Sequence, residues 1–204
     1  MASYPVFLND QRTGKPVAAE LLDSIDEVHL RAVEADWMPE ILSRIRQLID
    51  QGQPRQTWPQ SWHWNWRDKM DRINGLLAFQ TFALMCEGQL QGLMQMNSAR
   101  SLCRIPEQAG KHLAYVDYVE TAPWNRPNIT SKPRFRGVGI TMIRAAIEYS
   151  RDLGFHGRIG LHSLPQSETF YANACGMTDL GIDGTYENLR YFEMTSTQAD
   201  AFSG

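Results

Sequence analysis

The chain has 204 residues, of which 43% are apolar and 21% are charged, and its formal net charge is −3. This length and composition are typical of one globular domain with a substantial hydrophobic core. The slightly acidic balance argues against a broad contact with a nucleic-acid backbone. No apolar run approaches the roughly 20 residues that a membrane helix needs, and the first residues show no secretion-signal pattern.

The three cysteines, Cys86, Cys103 and Cys175, are widely spaced and odd in number. That pattern suits a reducing cytoplasm and contains no spacing typical of a metal site. The histidines likewise form no cluster with carboxylates that would indicate a bound metal ion. We therefore expect a cytoplasmic protein that binds no metal, no nucleic acid and no membrane.

The first 25 residues are expected to form a small appendage ahead of one main domain, residues 26–204. Within them, apolar clusters at residues 4–8 and 17–22 flank a segment with clear turn chemistry. The alternation of apolar and polar residues at 28–33 predicts the first strand of the main domain.

The rest of the main domain alternates between helical and extended patterns. Asp36 as a cap and helical spacing of the apolar residues predict a helix that ends at residues 51–54. Glu87-Gly88 is expected to form a tight turn between two strands. In chain order we expect a tryptophan-dense segment at 58–66, strands at 76–86, 89–97 and 112–120, a helix at 138–153, a strand at 158–162, a short helix at 166–174 and a last strand at 191–194. This order predicts an α/β fold with a mixed, mostly antiparallel central sheet flanked by helices.

The most informative segment is the glycine-containing loop that leads into the helix predicted at 138–153. The first turn of a helix has backbone N–H groups without partners, and the helix dipole adds positive character there. Glycine lets an anion approach the backbone and two arginines add charge, so the segment predicts a phosphate cradle, most naturally for a diphosphate. Its residues are Arg134, Phe135, Arg136, Gly137, Val138, Gly139 and Ile140.

Two common phosphate motifs do not fit this loop. A dinucleotide fingerprint needs a third glycine where the chain has Met142, and no Walker-type string is present. The loop instead resembles the R-x-x-G-x-G signature of the GNAT superfamily of acyl-CoA N-acyltransferases, through Arg134, Gly137 and Gly139. The resemblance extends over residues 112–180, where further matching features are the flanking strands, Phe170-Tyr171 and Cys175-Gly176-Met177.

The resemblance implies a GNAT-like fold, acetyl-CoA as the co-substrate and direct transfer of the acetyl group to an amine. In the family, backbone groups near the end of the strand before the loop pair with the pantetheine arm, and a backbone N–H polarises the thioester carbonyl. The matching positions are Val119, Glu120 and Thr121. The acceptor is then a small-molecule or protein amine of unknown identity, and a homodimer is left open.

Amine acylation needs a general base and an acid that protonates the leaving thiolate. The resemblance makes Tyr171 the acid candidate, although one residue more than in the common family pattern separates it from Gly176. Glu120 is the preferred base because it lies nearest the cofactor end, while Asp117 faces the other side of the strand. His162 is the second base candidate. Each candidate also has a structural interpretation, as a packed ring, a salt-bridged carboxylate or a satisfied strand histidine.

The tryptophan-dense segment is the most unusual composition in the chain. Trp62 and Trp66 are four residues apart and are expected to share a helix face. They would form an aromatic wall for an apolar or cationic acceptor, or else fill the core or an oligomer contact. The insertion at 124–133, which contains Trp124, departs from the short loop of the family. It either lines the acceptor pocket or is a neutral surface insertion.

Two classes of function remain. The leading hypothesis is an acyl-CoA-dependent N-acetyltransferase. The alternative is a catalytically degenerate acyl-CoA-binding or protein-interaction module on the same fold. The extra residue after Tyr171 and the missing family asparagine at residues 163–167 favour that alternative. A macromolecular acceptor is a third hypothesis, although the acidic balance speaks against tRNA.

Overall fold

The computed structural model describes residues 2–203, which form a mixed α/β fold with a nine-stranded sheet. The strands are β1 (Ser3–Asp10), β2 (Lys15–Leu22), β3 (Phe79–Cys86), β4 (Gln89–Asn97), β5 (Ala114–Thr121), β6 (Phe135–Arg136), β7 (Ile159–Ser163), β8 (Thr178–Asp183) and β9 (Leu189–Met194). Their order in the sheet is β6-β1-β2-β3-β4-β5-β7-β9-β8. Strands β5 and β7 pair in parallel. The pairs β1–β2, β1–β6, β2–β3, β7–β9 and β8–β9 are antiparallel. The predicted fold class is confirmed.

The described residues contain five α-helices, none of which is long and apolar enough to cross a membrane. They are α1 (Glu27–Ala32), α2 (Met38–Asp50), α3 (Trp66–Ile73), α4 (Val138–Asp152) and α5 (Ser196–Ser203). A π-helical segment, Val33–Trp37, joins α1 to α2, and a second one, Phe170–Ala174, precedes β8. The helix predicted at 138–153 is confirmed as α4, and Gly154 after it has the left-handed conformation typical of a residue that follows a helix, with φ +74°.

The strand predicted at residues 28–33 is wrong, because this segment forms α1. Asp26 and His29 make a capping box that starts the helix: the Asp26 side chain accepts from the His29 backbone, and the Asp26 N–H donates to His29 Nδ1 at 2.9 Å. His29, Leu30 and Val33 are buried at helical spacing, whereas Val28 is exposed. A segment of six residues is too short for its apolar pattern to distinguish the period of a strand from that of a helix. The capping box at Asp26 favours the helix.

The chain divides into two compact units. The first consists of residues up to 76, 81–93 and 120–139, and the second of residues 77–80, 94–119 and from 140 onward. The first contains the β1–β2 hairpin, α1, α2, α3, β6 and the loop before α4. The second contains β7, β8, β9 and most of α4.

The N-terminal residues form a regular hairpin in the sheet of the first unit. Pairing runs from Ser3 opposite Leu22 to Asp10 opposite Lys15, and β2 and β1 continue the sheet to β3 and β6. Turn chemistry at residues 9–16 correctly indicated the connection, but its flanking apolar clusters are two full strands. The division of the chain into an appendage and one domain stays a prediction.

The remaining sequence-based elements agree with the structure within a few residues, apart from one wrong cap and three omissions. Asp36 does not cap a helix, because it lies inside the π-helical segment Val33–Trp37 that joins α1 to α2. The turn at Glu87-Gly88 has φ +50° and +73°, as the tight hairpin turn requires. The strands predicted at 112–120, 158–162 and 191–194 correspond to β5, β7 and β9. The sequence analysis did not predict β6, β8 or α5.

Candidate active site

The glycine loop has the backbone geometry that an anion site needs. Phe135 and Val138 are buried on either side of Gly137, while the Arg136 side chain is exposed. Gly137 has φ +98°, a left-handed conformation that favours glycine. An added Cβ would meet only Leu8, at 3.8 Å, so conformation and not crowding within the protein calls for glycine here. The chain then enters α4 with its first N–H groups unpaired in the helix.

Arg134 is held by acidic and polar side chains of the β3–β4 hairpin. Its guanidinium donates to the carboxylate of Glu87 and to the side-chain oxygen of Gln89. Arg12 of the β1–β2 turn lies 3.8 Å from the same Glu87 carboxylate and pairs with Asp10 at 3.0 Å. Glu87 therefore places a carboxylate of the protein itself against Arg134, the arginine that the sequence predicts to bind phosphate.

Replacing Glu87 by glutamine should tighten CoA binding by roughly two- to five-fold. If Arg134 binds a phosphate of CoA, the Glu87 carboxylate competes for it, and a partly exposed ion pair is worth that much. Calorimetric titration of CoA into the parent and Glu87→Gln proteins checks this, with Glu40→Gln on α2 as the matched control. An unchanged or weaker affinity in Glu87→Gln would show that the two anions do not compete.

The Glu120 side chain lies inside a buried polar network. Its Oε1 accepts from Ser61 Oγ at 2.6 Å and from Arg126 Nη1 at 3.1 Å, and its Oε2 accepts from Trp66 Nε1 at 2.7 Å. Arg126 also donates to Ser61 Oγ at 3.0 Å. All four residues are buried. Burial lowers the pKa of the Arg126 guanidinium, against the pull of Glu120.

This network joins the end of β5 to the start of α3 and to the insertion at 124–133. The structural interpretation of Glu120, a salt-bridged carboxylate, matches these contacts. Oε2 accepts only one of these bonds, but the Glu120 side chain is 5% exposed, so an amine reaches it only if the network opens. Its role as a base is thus a proposal that needs such a rearrangement.

Tyr171 lies in the π-helical segment Phe170–Ala174 of the second unit. The Cys175 N–H donates to the Phe170 carbonyl at 3.0 Å, five residues back, so this turn contains one residue more than an α-helical turn. The wider turn accommodates the one residue by which the spacing from Tyr171 to Gly176 exceeds the common family pattern. The ring packs between Phe170 and Phe192, and burial raises the pKa of the phenol well above its usual value.

Burial also raises the pKa of Cys175 to about 12, so the thiol stays protonated near neutral pH. This is the state of an inert cysteine and not of a nucleophile. Tyr171 is protonated near neutral pH as any ordinary phenol is, and burial raises its pKa further. The π-helical segment therefore contains a neutral phenol next to an unreactive thiol.

His162 uses both ring nitrogens within the second unit. Its Nδ1 shares a hydrogen bond of 2.6 Å with Tyr115 Oη, and its Nε2 lies 3.1 Å from Asp183 Oδ2. Burial lowers the pKa of His162, while hydrogen bonds from Thr185, Arg104 and His162 lower the pKa of Asp183. Neither nitrogen has a free lone pair in this arrangement, which is typical of a structural histidine.

The prediction that Trp62 and Trp66 share a helix face is wrong. Helix α3 begins at Trp66, capped by Asn65, whose side chain accepts from the Asp68 N–H at 3.2 Å; Trp62 lies in the preceding turn. Trp62 and Trp66 still line one cavity of about 400 Å³, together with residues of α1, the π-helical segment after it and Met38. At this cavity Arg67 pairs with Glu34 at 2.8 Å.

Trp124 does not line that cavity. Its indole N–H donates to the side-chain oxygen of Gln91 at 2.9 Å, and Gln91 is fully buried in β4. The structure therefore brings Trp62 and Trp66 to one pocket and anchors Trp124 elsewhere in the same unit. Sequence reasoning missed Ser61, Gln91 and Arg126, because polar residues that become buried leave no periodic signal.

Solved structures share this arrangement of strands and helices. The GNAT domain of S. lividans PAT matches with a TM-score of 0.56 at 13% sequence identity, covering 94% of this chain and 96% of that domain. This chain has the GNAT acetyltransferase fold. No protein-family model and no curated protein matches it in sequence.

Two further GNAT-fold neighbours are similar over most of their length. Spermidine N-acetyltransferase from Vibrio cholerae, solved with CoA and spermine, has a TM-score of 0.52 at 16% identity, with 89% of this chain and 97% of that chain covered. An acetyltransferase from Salmonella typhimurium that modifies the N-terminal serine of ribosomal protein L7/L12 has a TM-score of 0.52 at 12% identity, with 86% and 94% covered. At such identities the likeness establishes the fold, and the chemistry must be argued from the residues.

Proposed function

We propose that this chain is an acyl-CoA-dependent N-acyltransferase that moves an acetyl group from acetyl-CoA directly to an amine. The observation that carries the proposal is the left-handed Gly137, which leads into the fifteen-residue helix α4 within a GNAT fold. The first N–H groups of this helix, with Arg134 and Arg136 nearby in sequence, suit a diphosphate. Acetyl-CoA supplies the activated acyl group.

The main chain at the end of β5 has the second role in this proposal. Backbone groups of Val119, Glu120 and Thr121 would pair with the pantetheine arm, and an N–H there would stabilise the oxyanion as the amine attacks. These contacts use no side chain. The ion pair of Glu120 with Arg126 is therefore compatible with them.

Calorimetric titration with acetyl-CoA tests the proposal. We expect saturable binding of one acetyl-CoA per chain, followed by release of free thiol when an amine is added. Absence of binding at millimolar acetyl-CoA would refute the proposed function. A binding signal without thiol release, over a broad amine panel, would leave only the binding-module alternative.

Tyr171 is the proposed acid that protonates the leaving thiolate, because the family resemblance assigns that role to this tyrosine and a phenol is protonated near neutral pH. Glu120 and His162 remain the proposed bases. Glu120 requires the buried network around it to open, and His162 requires loss of one of its two hydrogen bonds. Direct transfer needs no covalent enzyme intermediate. The protonated Cys175 thiol agrees with this route.

We propose that the acceptor enters the cavity lined by Trp62 and Trp66. Its indole walls and apolar residues of α1 favour an amine with an apolar body, and indole faces also attract cations. The neighbours named above act on a small polyamine and on a protein N-terminus. Both acceptor classes therefore stay open for this chain. Trp124, the third proposed acceptor residue, would contribute only through the face of its ring.

The cytoplasm is the proposed location, since the three cysteines are free and buried. A homodimer is compatible with the proposal but is not required by it. The acetyl group is the simplest donor acyl group. A longer acyl chain is distinguished by comparing turnover with acetyl-CoA and hexanoyl-CoA.

Replacing Arg134 by alanine should weaken CoA binding by roughly ten- to a hundred-fold. The change removes a charge-assisted contact worth about 1.5–3 kcal/mol, and each 1.4 kcal/mol is about tenfold in affinity. Thermal stability of the free protein should change little, because α4 keeps its buried side and its C-terminal cap. Calorimetry with CoA and thermal melts check both expectations, with Arg46→Ala on α2 as the control. Parent-like affinity in Arg134→Ala would remove the loop as the phosphate site.

The alternative function, a degenerate acyl-CoA-binding module, is favoured by one set of contacts. Glu120 is buried among three donors, and both ring nitrogens of His162 are hydrogen-bonded, so neither side chain is ready to take a proton from an amine. Such a module would bind acetyl-CoA and release thiol no faster than the uncatalysed reaction. Turnover above that background with any amine rejects it.

A further inference from the structure

Gln91 is a fully buried amide whose polar atoms are all used within the protein. Its Oε1 accepts from Trp124 Nε1 and from Asn125 Nδ2, both at 2.9 Å. Its Nε2 donates to the carbonyls of Cys86 at 3.4 Å and Gln89 at 3.2 Å. Turning the amide over would place donors against donors and acceptors against acceptors, so it has one orientation.

Asn125 transmits this orientation to the glycine loop. Its Nδ2 is committed to Gln91, which points its Oδ1 at the backbone N–H of Phe135, 2.9 Å away. Phe135 is 2% exposed, so its N–H has no water to replace that bond. Phe135 lies two residues before Gly137, the left-handed position of the proposed phosphate loop.

Two backbone hydrogen bonds complete the attachment of the loop. The Arg134 N–H donates to the Trp124 carbonyl at 3.0 Å, and the Gln11 N–H donates to the Arg134 carbonyl at 2.8 Å. The start of the insertion at 124–133 thus holds Arg134 and Phe135 by consecutive bonds, one from its main chain and one from its Asn125 side chain. Because of these contacts, the start of the insertion supports the glycine loop and is not a neutral surface loop.

We propose that Asn125, oriented by Gln91, is a positioning residue for phosphate binding. It fixes the backbone path from Arg134 to Gly137, so that the N–H groups at the start of α4 are set before the ligand arrives. A site that is ordered in advance loses less conformational entropy on binding. The inference rests on the proposed function, because it assumes that the loop binds the diphosphate of acyl-CoA.

The test uses Asn125→Leu and Gln91→Met, which keep side-chain volume and remove the polar atoms. In each variant the Kd for CoA, measured by calorimetry well below the melting temperature, should rise roughly tenfold, the scale of one buried hydrogen bond. The KM for acetyl-CoA should rise in parallel while kcat at saturation stays unchanged. Hydrogen exchange at the Phe135 amide should become faster without any ligand.

The double variant should have the same Kd for CoA as the single variant with the higher Kd. Both residues act through the same hydrogen bonds, from Gln91 to Asn125 and from Asn125 to Phe135. Ser131→Ala, an exposed position in the same insertion, should match the parent. Parent-like CoA affinity in Asn125→Leu, a fall in kcat alone, or additive losses in the double variant would overturn the positioning role. If the parent binds no CoA, both the proposed function and this inference are refuted. If the parent binds CoA and Asn125→Leu binds it equally well, only the inference is refuted.

Discussion

Replacing Tyr171 by phenylalanine should lower kcat by roughly 10²- to 10⁴-fold, the usual contribution of a positioned acid or base. The phenol of Tyr171 is protonated near neutral pH, and a proton donor is needed as the thiolate leaves. Phenylalanine retains the ring contacts with Phe170 and Phe192, so folding should survive. Steady-state kinetics with acetyl-CoA and an accepted amine measure the loss. CoA affinity, measured by calorimetry, should be unchanged.

Tyr4→Phe provides a matched control, since it removes an exposed phenol on β1 and should leave kcat as in the parent. A Tyr171→Phe protein with parent-like kcat would exclude Tyr171 as the acid. Tyr171 would then be a ring that packs on the sheet. Its place in a π-helical segment would be a structural accommodation of one additional residue.

Replacing Glu120 by alanine should lower the free energy of unfolding by about 3–5 kcal/mol, because it leaves the Arg126 charge buried without its partner. Arg126 is 7% exposed and has no other carboxylate among its hydrogen-bond partners in the described residues. Trp66 Nε1 and Ser61 Oγ would lose an acceptor in the same step. Urea denaturation followed by tryptophan fluorescence measures the change.

Two comparisons separate this effect from a general loss of packing. Glu40→Ala on the exposed side of α2 should stay within about 0.5 kcal/mol of the parent. The double variant Glu120→Met with Arg126→Met removes both charges and should recover most of the stability, since an apolar pair of similar volume replaces a buried ion pair at little cost. A loss below about 1 kcal/mol in Glu120→Ala would contradict the buried pair.

The double variant also separates the two roles proposed for Glu120. If the carboxylate were the general base, the folded double variant would lose both activity and the acidic limb of the pH–rate profile. If its main role is to hold α3 against the end of β5, the acidic limb remains. Only the KM for the acceptor then rises, because Trp66 belongs to the network and to the cavity wall.

The loop from Arg134 to Ile140 could be predicted from the sequence because its signal is local. Glycine next to arginine, ahead of a helix with a clear apolar side, is a pattern that depends only on neighbours within a few residues. Gly137 in this loop has the left-handed conformation that favours glycine. The fold class followed from the same kind of pattern, since period-2 and period-3.6 spacing specify strands and helices before any packing. The two-residue β6 is too short to carry either period.

Tertiary structure alone decided the chemical state of the candidate side chains. Glu120, His162 and Trp124 were selected by residue type and position, but their partners Arg126, Asp183 and Gln91 lie 6, 21 and 33 residues away along the chain. Burial then decides which of these groups must be paired, because an unsatisfied polar group costs more inside the protein than in water. The sequence by itself therefore determined the fold class and the phosphate-loop pattern, whereas the partners of each polar side chain emerged only when distant segments met.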